Sequence, residues 1–241
     1  MSVRLKNLAY TNHAKDNFVG FCNGHRRQNY HDPDIAAMQK LGWKEIWTNP
    51  VDRWTGVISL LLAIAVAAIA SQYLYLIEKR PGVIIADPVL AMFSATDVTW
   101  PIFFLLYGSL ILAVTWLWTT PRILFQALRA YAIVLSLRML CMWLVPLDPP
   151  ASMIVLSDPL IQLAVHSSGA PLTRDLFFSG HTSSIFIAAF VMPTTKKRWT
   201  IVALGSIVGA LLIVQHVHYS IDVVVAPMAA LMAVAMSGRS E

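Results

Sequence analysis

Charged residues are scarce in this chain. Asp, Glu, Lys and Arg together make up 13% of its 241 residues, about half the share found in soluble domains. Hydrophobic residues make up 57%, against about 45–50% in an ordinary globular protein. This balance excludes a disordered chain and an ordinary soluble enzyme, and it indicates a protein that lies in a lipid bilayer.

Cysteine is also scarce, since the chain has only Cys22 and Cys141. Two cysteines so far apart exclude a disulfide scaffold and match no spacing of zinc ligands. The net charge is +5, and the basic residues cluster beside apolar segments. That arrangement is typical of charge at a membrane surface, so we expect no nucleic-acid partner.

Six long apolar segments follow the first fifty residues. A helix needs about 20 apolar residues to cross the hydrocarbon core of a bilayer. The segments predict an all-α bundle of six transmembrane helices, at 56–77, 101–118, 123–145, 177–193, 199–217 and 219–236. We expect one membrane domain over 55–237, preceded by a cytoplasmic or interfacial segment over 1–54 and followed by a short tail over 238–241. An amphipathic helix at the membrane surface is expected over 34–47.

The basic residues orient this bundle. Thirteen Lys and Arg fall in the segments on the side of the N-terminus, and three fall in the loops on the opposite side. Because loops rich in Lys and Arg stay in the cytoplasm, both termini are expected there.

Four ionisable residues then converge on the outer half of the bundle. His181 lies where the fourth helix begins, His218 where the fifth ends, and Asp222 where the sixth begins. Arg138 lies eight residues before Pro146, which is roughly 12 Å below the outer end of the third helix at about 1.5 Å per residue. Ionisable residues inside membrane spans are costly and are usually functional.

The types of these residues indicate phosphoryl transfer. A carboxylate at Asp222, four positions after His218, fixes the imidazole tautomer and leaves the other ring nitrogen nucleophilic. His181 is suited to moving a proton. The turn Ser179, Gly180 opens a helix whose N-terminus favours an anion, and Arg138 adds a fixed positive charge.

Other interpretations remain for single residues. His181, His218 and Asp222 are also a possible ligand set for a metal, or a proton relay in a transporter. Arg129 is expected to extend to the cytoplasmic surface, and the pair Gly205 and Gly209 to mark a close contact between helices.

Two motifs resemble the type 2 phosphatidic acid phosphatase (PAP2) superfamily. The first reads Asp175-Leu-Phe-Phe-Ser179-Gly180-His181-Thr182, and the second reads His218-Tyr219-Ser220-Ile221-Asp222. Their surroundings are similar to the sphingomyelin synthase branch, as is the segment from Arg138 to the proline-rich turn at 146–150. The basic first signature of the phosphatases is absent, and Arg174 stands where this branch usually has Gly.

The resemblance implies a membrane enzyme that moves a phospho-headgroup between lipids. His218, oriented by Asp222, would attack phosphorus, and His181 would protonate the leaving diacylglycerol. The residues expected to bind substrate are Arg138, Asp175, Ser179, Gly180, Thr182 and Tyr219. The donor would be a phospholipid, the acceptor ceramide or diacylglycerol, and no metal or other cofactor is required.

The alternative within the same superfamily is a lipid phosphate phosphatase, which uses water as the second nucleophile. The partly apolar segment over 147–178 is expected to form a lid or re-entrant wall over the site, or else simple surface packing. The headgroup, the acceptor and any homo-oligomer are left open by the sequence.

Overall fold

The computed structural model describes residues 42–156 and 172–238, and this part of the chain is helical. Its seven α-helices, in chain order, are α1 Trp43–Thr48, α2 Pro50–Glu78, α3 Thr99–Leu117, α4 Pro121–Leu144, α5 Gly180–Val191, α6 Thr195–Val214 and α7 Ser220–Met236. A short 3₁₀ turn, Leu90–Met92, lies in the connection between α2 and α3.

Four of these helices, α2, α3, α4 and α6, are long and apolar enough to cross a membrane. The other two helices in predicted spans are shorter, with 12 residues in α5 and 17 in α7. Each of the six apolar segments therefore contains a helix, while the number that crosses a bilayer stays a prediction.

The fourth segment begins its helix later than predicted and ends it earlier. Ser179 is the N-cap, because its side-chain oxygen accepts a hydrogen bond from the backbone N–H of Thr182. At the other end, Met192 adopts an extended conformation because the residue before a proline, here Pro193, is disfavoured in helical geometry.

The short helix α5 lies at the centre of the bundle. It packs against α3, α4, α6 and α7, and eight of its twelve residues are buried. A helix enclosed in this way is hydrophobic all round rather than on one face. In contrast, α2 packs mainly against α4 and α1 and exposes many large apolar side chains, as a lipid-facing helix does.

The two glycines of α6 face neighbouring helices, as predicted. A Cβ added at Gly205 would lie 3.1 Å from Ile185 and Phe186 of α5, and one added at Gly209 would lie 2.6 Å from Val223 of α7. Close contacts of this kind need a residue without a side chain.

Arg129, expected to extend to the cytoplasmic surface, makes its described hydrogen bonds within the bundle, and its reach to the membrane surface stays a prediction. Its Nη1 donates to the Ser59 hydroxyl at 3.0 Å and its Nε donates to the Ser237 carbonyl at 3.1 Å. Ser237 is the C-cap of α7, where carbonyl groups lack helical partners. The guanidinium satisfies one of these carbonyls and joins α4 to α2 and α7.

Two predicted features fall partly outside the described residues. The amphipathic helix expected over 34–47 overlaps the described chain only at its end, where α1 begins at Trp43. The outer segment expected to cover the site includes residues 157–171, which are also outside the described ranges.

Candidate functional site

The two motifs meet where α5 and α7 begin. The backbone N–H of Ser179 donates to the carbonyl oxygen of Asp222 at 3.1 Å. This bond joins the N-cap of α5 to the first turn of α7, so the residues of both motifs lie at one end of the bundle.

His218 and Asp222 form a buried pair. The Nδ1 atom of His218 lies 3.4 Å from Oδ2 of Asp222, and the residues are 2% and 0% exposed. The same oxygen accepts the backbone N–H of Tyr219 at 3.2 Å, which completes a capping box at the start of α7. With Nδ1 facing the carboxylate, Nε2 is the nitrogen left to react.

The start of α5 has no acidic residue, whereas that of α7 has Asp222. A second carboxylate also reaches α7, since Oδ2 of Asp87 accepts the backbone N–H of Ser220 at 2.6 Å. Helix N-termini attract anions, and at α7 the protein supplies the anions itself. The start of α5 is therefore the better place for a phosphate group.

Arg138 lies directly against this start of α5. It is 7% exposed, and a Cβ added at Gly180 would lie 1.8 Å from its Nη1 atom. Any side chain at position 180 would displace the guanidinium. Glycine is needed here because the Arg138 guanidinium approaches the backbone closely, and not because of its backbone conformation.

The charge of Arg138 is already paired. Its Nη2 atom lies 2.7 Å from Oδ1 of Asp175 and donates to the Asp175 carbonyl at 2.9 Å. Its Nε atom is buried and has no hydrogen-bond partner within residues 42–156 and 172–238. The hydroxyl of Thr182, in the first turn of α5, is also buried and also has no hydrogen-bond partner in the described part of the chain. The Nε atom is available to a phosphate oxygen, whereas the Thr182 hydroxyl lies near Gly209 of α6.

His181 is the second residue of α5 and is half-buried. It follows Gly180 directly, so it lies beside the Arg138 contact. Among the described residues, no group of three or more His, Cys, Asp and Glu side chains is arranged to hold a metal ion. The metal interpretation of His181, His218 and Asp222 therefore has no support in this geometry.

Tyr219 has a different environment from the one expected of a substrate ligand. The residue is 1% exposed, and its hydroxyl donates to the Asp148 carbonyl at 2.8 Å and accepts the Ile85 N–H at 3.2 Å. This geometry favours a role in holding the outer loops around His218.

Arg174 stands where the sphingomyelin synthase branch usually has Gly, and its side chain makes contacts within the protein. Its Nε lies 2.6 Å from Oδ1 of Asp148, and its Nη1 donates to the Glu78 carbonyl. The hydrogen bond from Arg174 keeps the pKa of Asp148 below its usual value. Glu78 in turn accepts the backbone N–H groups of Thr173 and Arg174 at 2.9 and 3.0 Å. This network anchors the segment that leads into the first motif to the end of α2.

Two residues in or next to the motifs have positive φ angles, Phe177 within the first motif at 102° and His216 just before the second at 57°. Such conformations are costly for residues other than glycine and persist where the surrounding structure enforces them. His216 is buried, with Nδ1 2.5 Å from the Ser152 hydroxyl oxygen. Nothing in the sequence signalled the strain at Phe177.

Sequence reasoning also missed Glu78, the last residue of α2, and the loop residues Asp87 and Asp148, which support the site from the same end of the bundle. They belong to no motif. The available signal was weak, namely acidic residues in otherwise apolar connections at the end of the bundle where the motifs lie.

Residues 174–238 match the model of the PAP2 superfamily C-terminal family. The matched part contains Asp175, the Ser179–Thr182 turn, His218 and Asp222, but not Arg138. No curated protein matched the chain. Together with four apolar helices of membrane-spanning length, the match indicates an integral membrane protein with activity of the phosphatase or phosphotransferase type.

Proposed function

We propose that this protein transfers a phospho-headgroup from a glycerophospholipid to a lipid alcohol, through a phosphohistidine on His218, as in the sphingomyelin synthase branch. The observation that carries the proposal is the Ser179–Asp222 hydrogen bond, at 3.1 Å. It brings the His218–Asp222 pair to the same turn that Arg138 contacts.

The donor phosphate binds at the start of α5, beside the Arg138 guanidinium. The unpartnered Nε of Arg138 supplies a hydrogen bond to one of its oxygens. Backbone N–H groups in the first turn of α5 add the field of the helix N-terminus.

The first chemical step forms a bond between Nε2 of His218 and phosphorus. The bond from phosphorus to the diacylglycerol oxygen breaks, and protonated His181 gives its proton to that oxygen. Asp222 stabilises the positive charge that develops on the His218 ring. The products are diacylglycerol and the headgroup phosphate bound to His218.

The second step reverses the roles. Neutral His181 takes the proton from the acceptor hydroxyl, the acceptor oxygen bonds to phosphorus, and the bond from phosphorus to Nε2 breaks. His218 is restored and His181 is again protonated. Positioning and charge neutralisation account for most of the work, as in phosphoryl transfer generally.

The charge of the site favours a phosphodiester donor over a phosphomonoester. Arg138 is paired with Asp175 at 2.7 Å, so the pair is formally neutral and suits a singly charged phosphate. A phosphomonoester carries close to two negative charges at neutral pH. The Asp175 carboxylate already neutralises Arg138, so the second charge of the phosphomonoester is repelled here. This argument favours the headgroup transferase over the lipid phosphate phosphatase.

We further propose that the bundle crosses the membrane six times with both termini in the cytoplasm. The site then lies at the outer or lumenal face, since α5 and α7 begin at the end of the bundle with few basic residues. The Lys196, Lys197 and Arg198 group lies at the opposite end, at the start of α6.

The test uses purified full-length protein in liposomes that contain phospholipid labelled in the headgroup phosphate. Ceramide or diacylglycerol is added or withheld, and His218→Ala serves as the blank. We expect a new labelled phospholipid to form only when the acceptor is present. It should not form with His218→Ala. If phosphatidic acid instead released free phosphate quickly, and neither acceptor changed the products, the protein would be a lipid phosphate phosphatase and not a transferase.

A further inference from the structure

The connection between α2 and α3 makes several contacts with the turn that carries His218. The backbone N–H of Thr96 donates to the Val214 carbonyl at 3.1 Å, and that of Val98 donates to the Gln215 side chain at 3.0 Å. Nearer the site, the N–H of Ile85 donates to the Tyr219 hydroxyl. This loop is remote in sequence from both motifs, and no motif residue lies within it.

Asp87 is the loop residue with the shortest contact to α7. Its Oδ2 accepts the backbone N–H of Ser220 at 2.6 Å, and Ser220 is the first residue of the helix. That N–H has no partner inside the helix, since the first four N–H groups of any α-helix lack one. A charged acceptor makes a hydrogen bond of about twice the ordinary strength.

The carboxylate is itself held in place. Its Oδ1 accepts the N–H groups of Val89 at 2.9 Å and Leu90 at 3.3 Å, which fixes it in its own turn. Leu90 packs in a buried cluster with Leu147, Leu176 and Tyr219. Burial raises the pKa of Asp87, but the hydrogen bonds from Ser220, Leu90 and Val89 outweigh burial and keep the pKa below its usual value.

Three bonds therefore fix the turn from His218 to Asp222. Asp222 accepts the Tyr219 N–H from within the turn, Ser179 of the other motif donates to the Asp222 carbonyl, and Asp87 holds Ser220 from the outer loop. The 3.4 Å contact between His218 and Asp222 spans this turn. A shift of the Ser220 backbone would change it directly.

We infer that Asp87 is a positioning residue for His218, which it keeps in line for attack by anchoring the start of α7 through the Ser220 N–H. The inference rests on the proposed function for its effect on turnover. It predicts that losing the acceptor oxygen lowers kcat and leaves KM nearly unchanged, because the phosphate contacts at α5 are intact.

The test compares Asp87→Ala, which loses both acceptor oxygens, with Asp87→Asn, which keeps one acceptor oxygen and so can bond either Ser220 or the Val89 and Leu90 N–H groups. Asp97→Ala is the matched control, since its carboxylate lies in the same loop but accepts the Thr99 N–H at the start of α3. We expect kcat to fall about 10–100-fold in Asp87→Ala, as misplacement of a reacting group does. Asp87→Asn is expected to recover part of it, and the control to match wild type.

A second measurement needs no activity. Hydrogen–deuterium exchange of the Ser220 amide in the purified protein is expected to be about tenfold faster in Asp87→Ala, and unchanged in Asp97→Ala. Unchanged exchange in Asp87→Ala would overturn the inference, whether or not the wild type transfers headgroups. With an active wild type, unchanged kcat in Asp87→Ala would overturn it too.

Discussion

At the scale of single residues, the charge balance of the site depends on Asp175. Its carboxylate lies 2.7 Å from Arg138, and both side chains are largely buried. A buried charge without a partner is costly, so Asp175 keeps Arg138 in the bundle while no phosphate is bound. The same carboxylate sets how much negative charge the site tolerates in a substrate.

Asp175→Asn is therefore expected to change which substrate is preferred. The ratio of kcat/KM for a phosphomonoester, phosphatidic acid, to that for a phosphodiester donor should rise about tenfold or more, which corresponds to ~1.4 kcal/mol or more. Rates with both lipids in the same liposomes measure the ratio. A ratio equal to that of wild type would show that Asp175 does not select by charge.

His218→Ala and Asp222→Asn should both remove activity, for different reasons. The first removes the nucleophile. The second keeps the shape of the side chain but loses the charge that faces Nδ1, a change that costs about 10⁴-fold in the analogous serine protease triad. Single-turnover rates measure both, with His216→Gln as a control at the neighbouring histidine. Near-normal turnover in His218→Ala would contradict the mechanism.

At the scale of elements, α5 combines a short length with a central position. Its first turn holds Ser179, Gly180 and His181, and its remaining residues pack against four other helices. The bundle thereby fixes the start of α5 more firmly than a surface loop would be fixed. Arg138 reaches this start only because position 180 has no side chain.

Gly180→Ala tests this contact. The added Cβ would overlap Nη1 of Arg138, so the guanidinium must shift, which disturbs its pairing with Asp175. We expect activity to fall about 100-fold and the melting temperature to fall with it.

Gly108→Ala is the matched control, because Gly108 lies in α3 with nothing within 4 Å of its added Cβ. Alanine is favoured over glycine inside helices by roughly 0.5–1 kcal/mol, so this variant should keep its activity and melt at the same or a higher temperature. Equal activity in both variants would refute the role assigned to Gly180.

The part of this site that could be predicted from the sequence is the part set by local spacing. His218 and Asp222 are four residues apart, and the helix start brings them together. Ser179 is a good N-cap, and the helix begins after it. The partners of Arg129 and Arg138 could not be predicted, because an arginine in an apolar segment indicates only that a partner is needed. Asp87 was missed because its contact with Ser220 joins residues 133 positions apart.

At the scale of the whole molecule, the bundle has two chemically different ends. One end holds the motifs and the acidic loop residues Asp87, Asp97 and Asp148. The other holds the Arg122–Asp52 ion pair, at 2.7 Å, and the basic start of α6. The long apolar segments predicted six helices, but they did not predict that α5 is enclosed by the others, since that depends on tertiary packing.

The orientation of these ends can be measured with single cysteines in a background without Cys22 and Cys141. Met92→Cys lies in the loop after α2, where residue 92 is 81% exposed, and Lys196→Cys lies at the start of α6. A membrane-impermeant thiol reagent should label only Met92→Cys in sealed cells or right-side-out vesicles. Labelling of both positions from one side would contradict six crossings and the outer site.

The most direct test of the central claim is to trap the phospho-headgroup on His218. Protein in liposomes is mixed with donor phospholipid labelled in the phosphate, without acceptor, and quenched with alkali, which preserves phosphohistidine. We predict label on the peptide that contains His218, none in His218→Ala, and loss of the label when ceramide or diacylglycerol is added before quenching. Acceptor-dependent transfer by the wild type with no label on His218 at any time point would contradict the account.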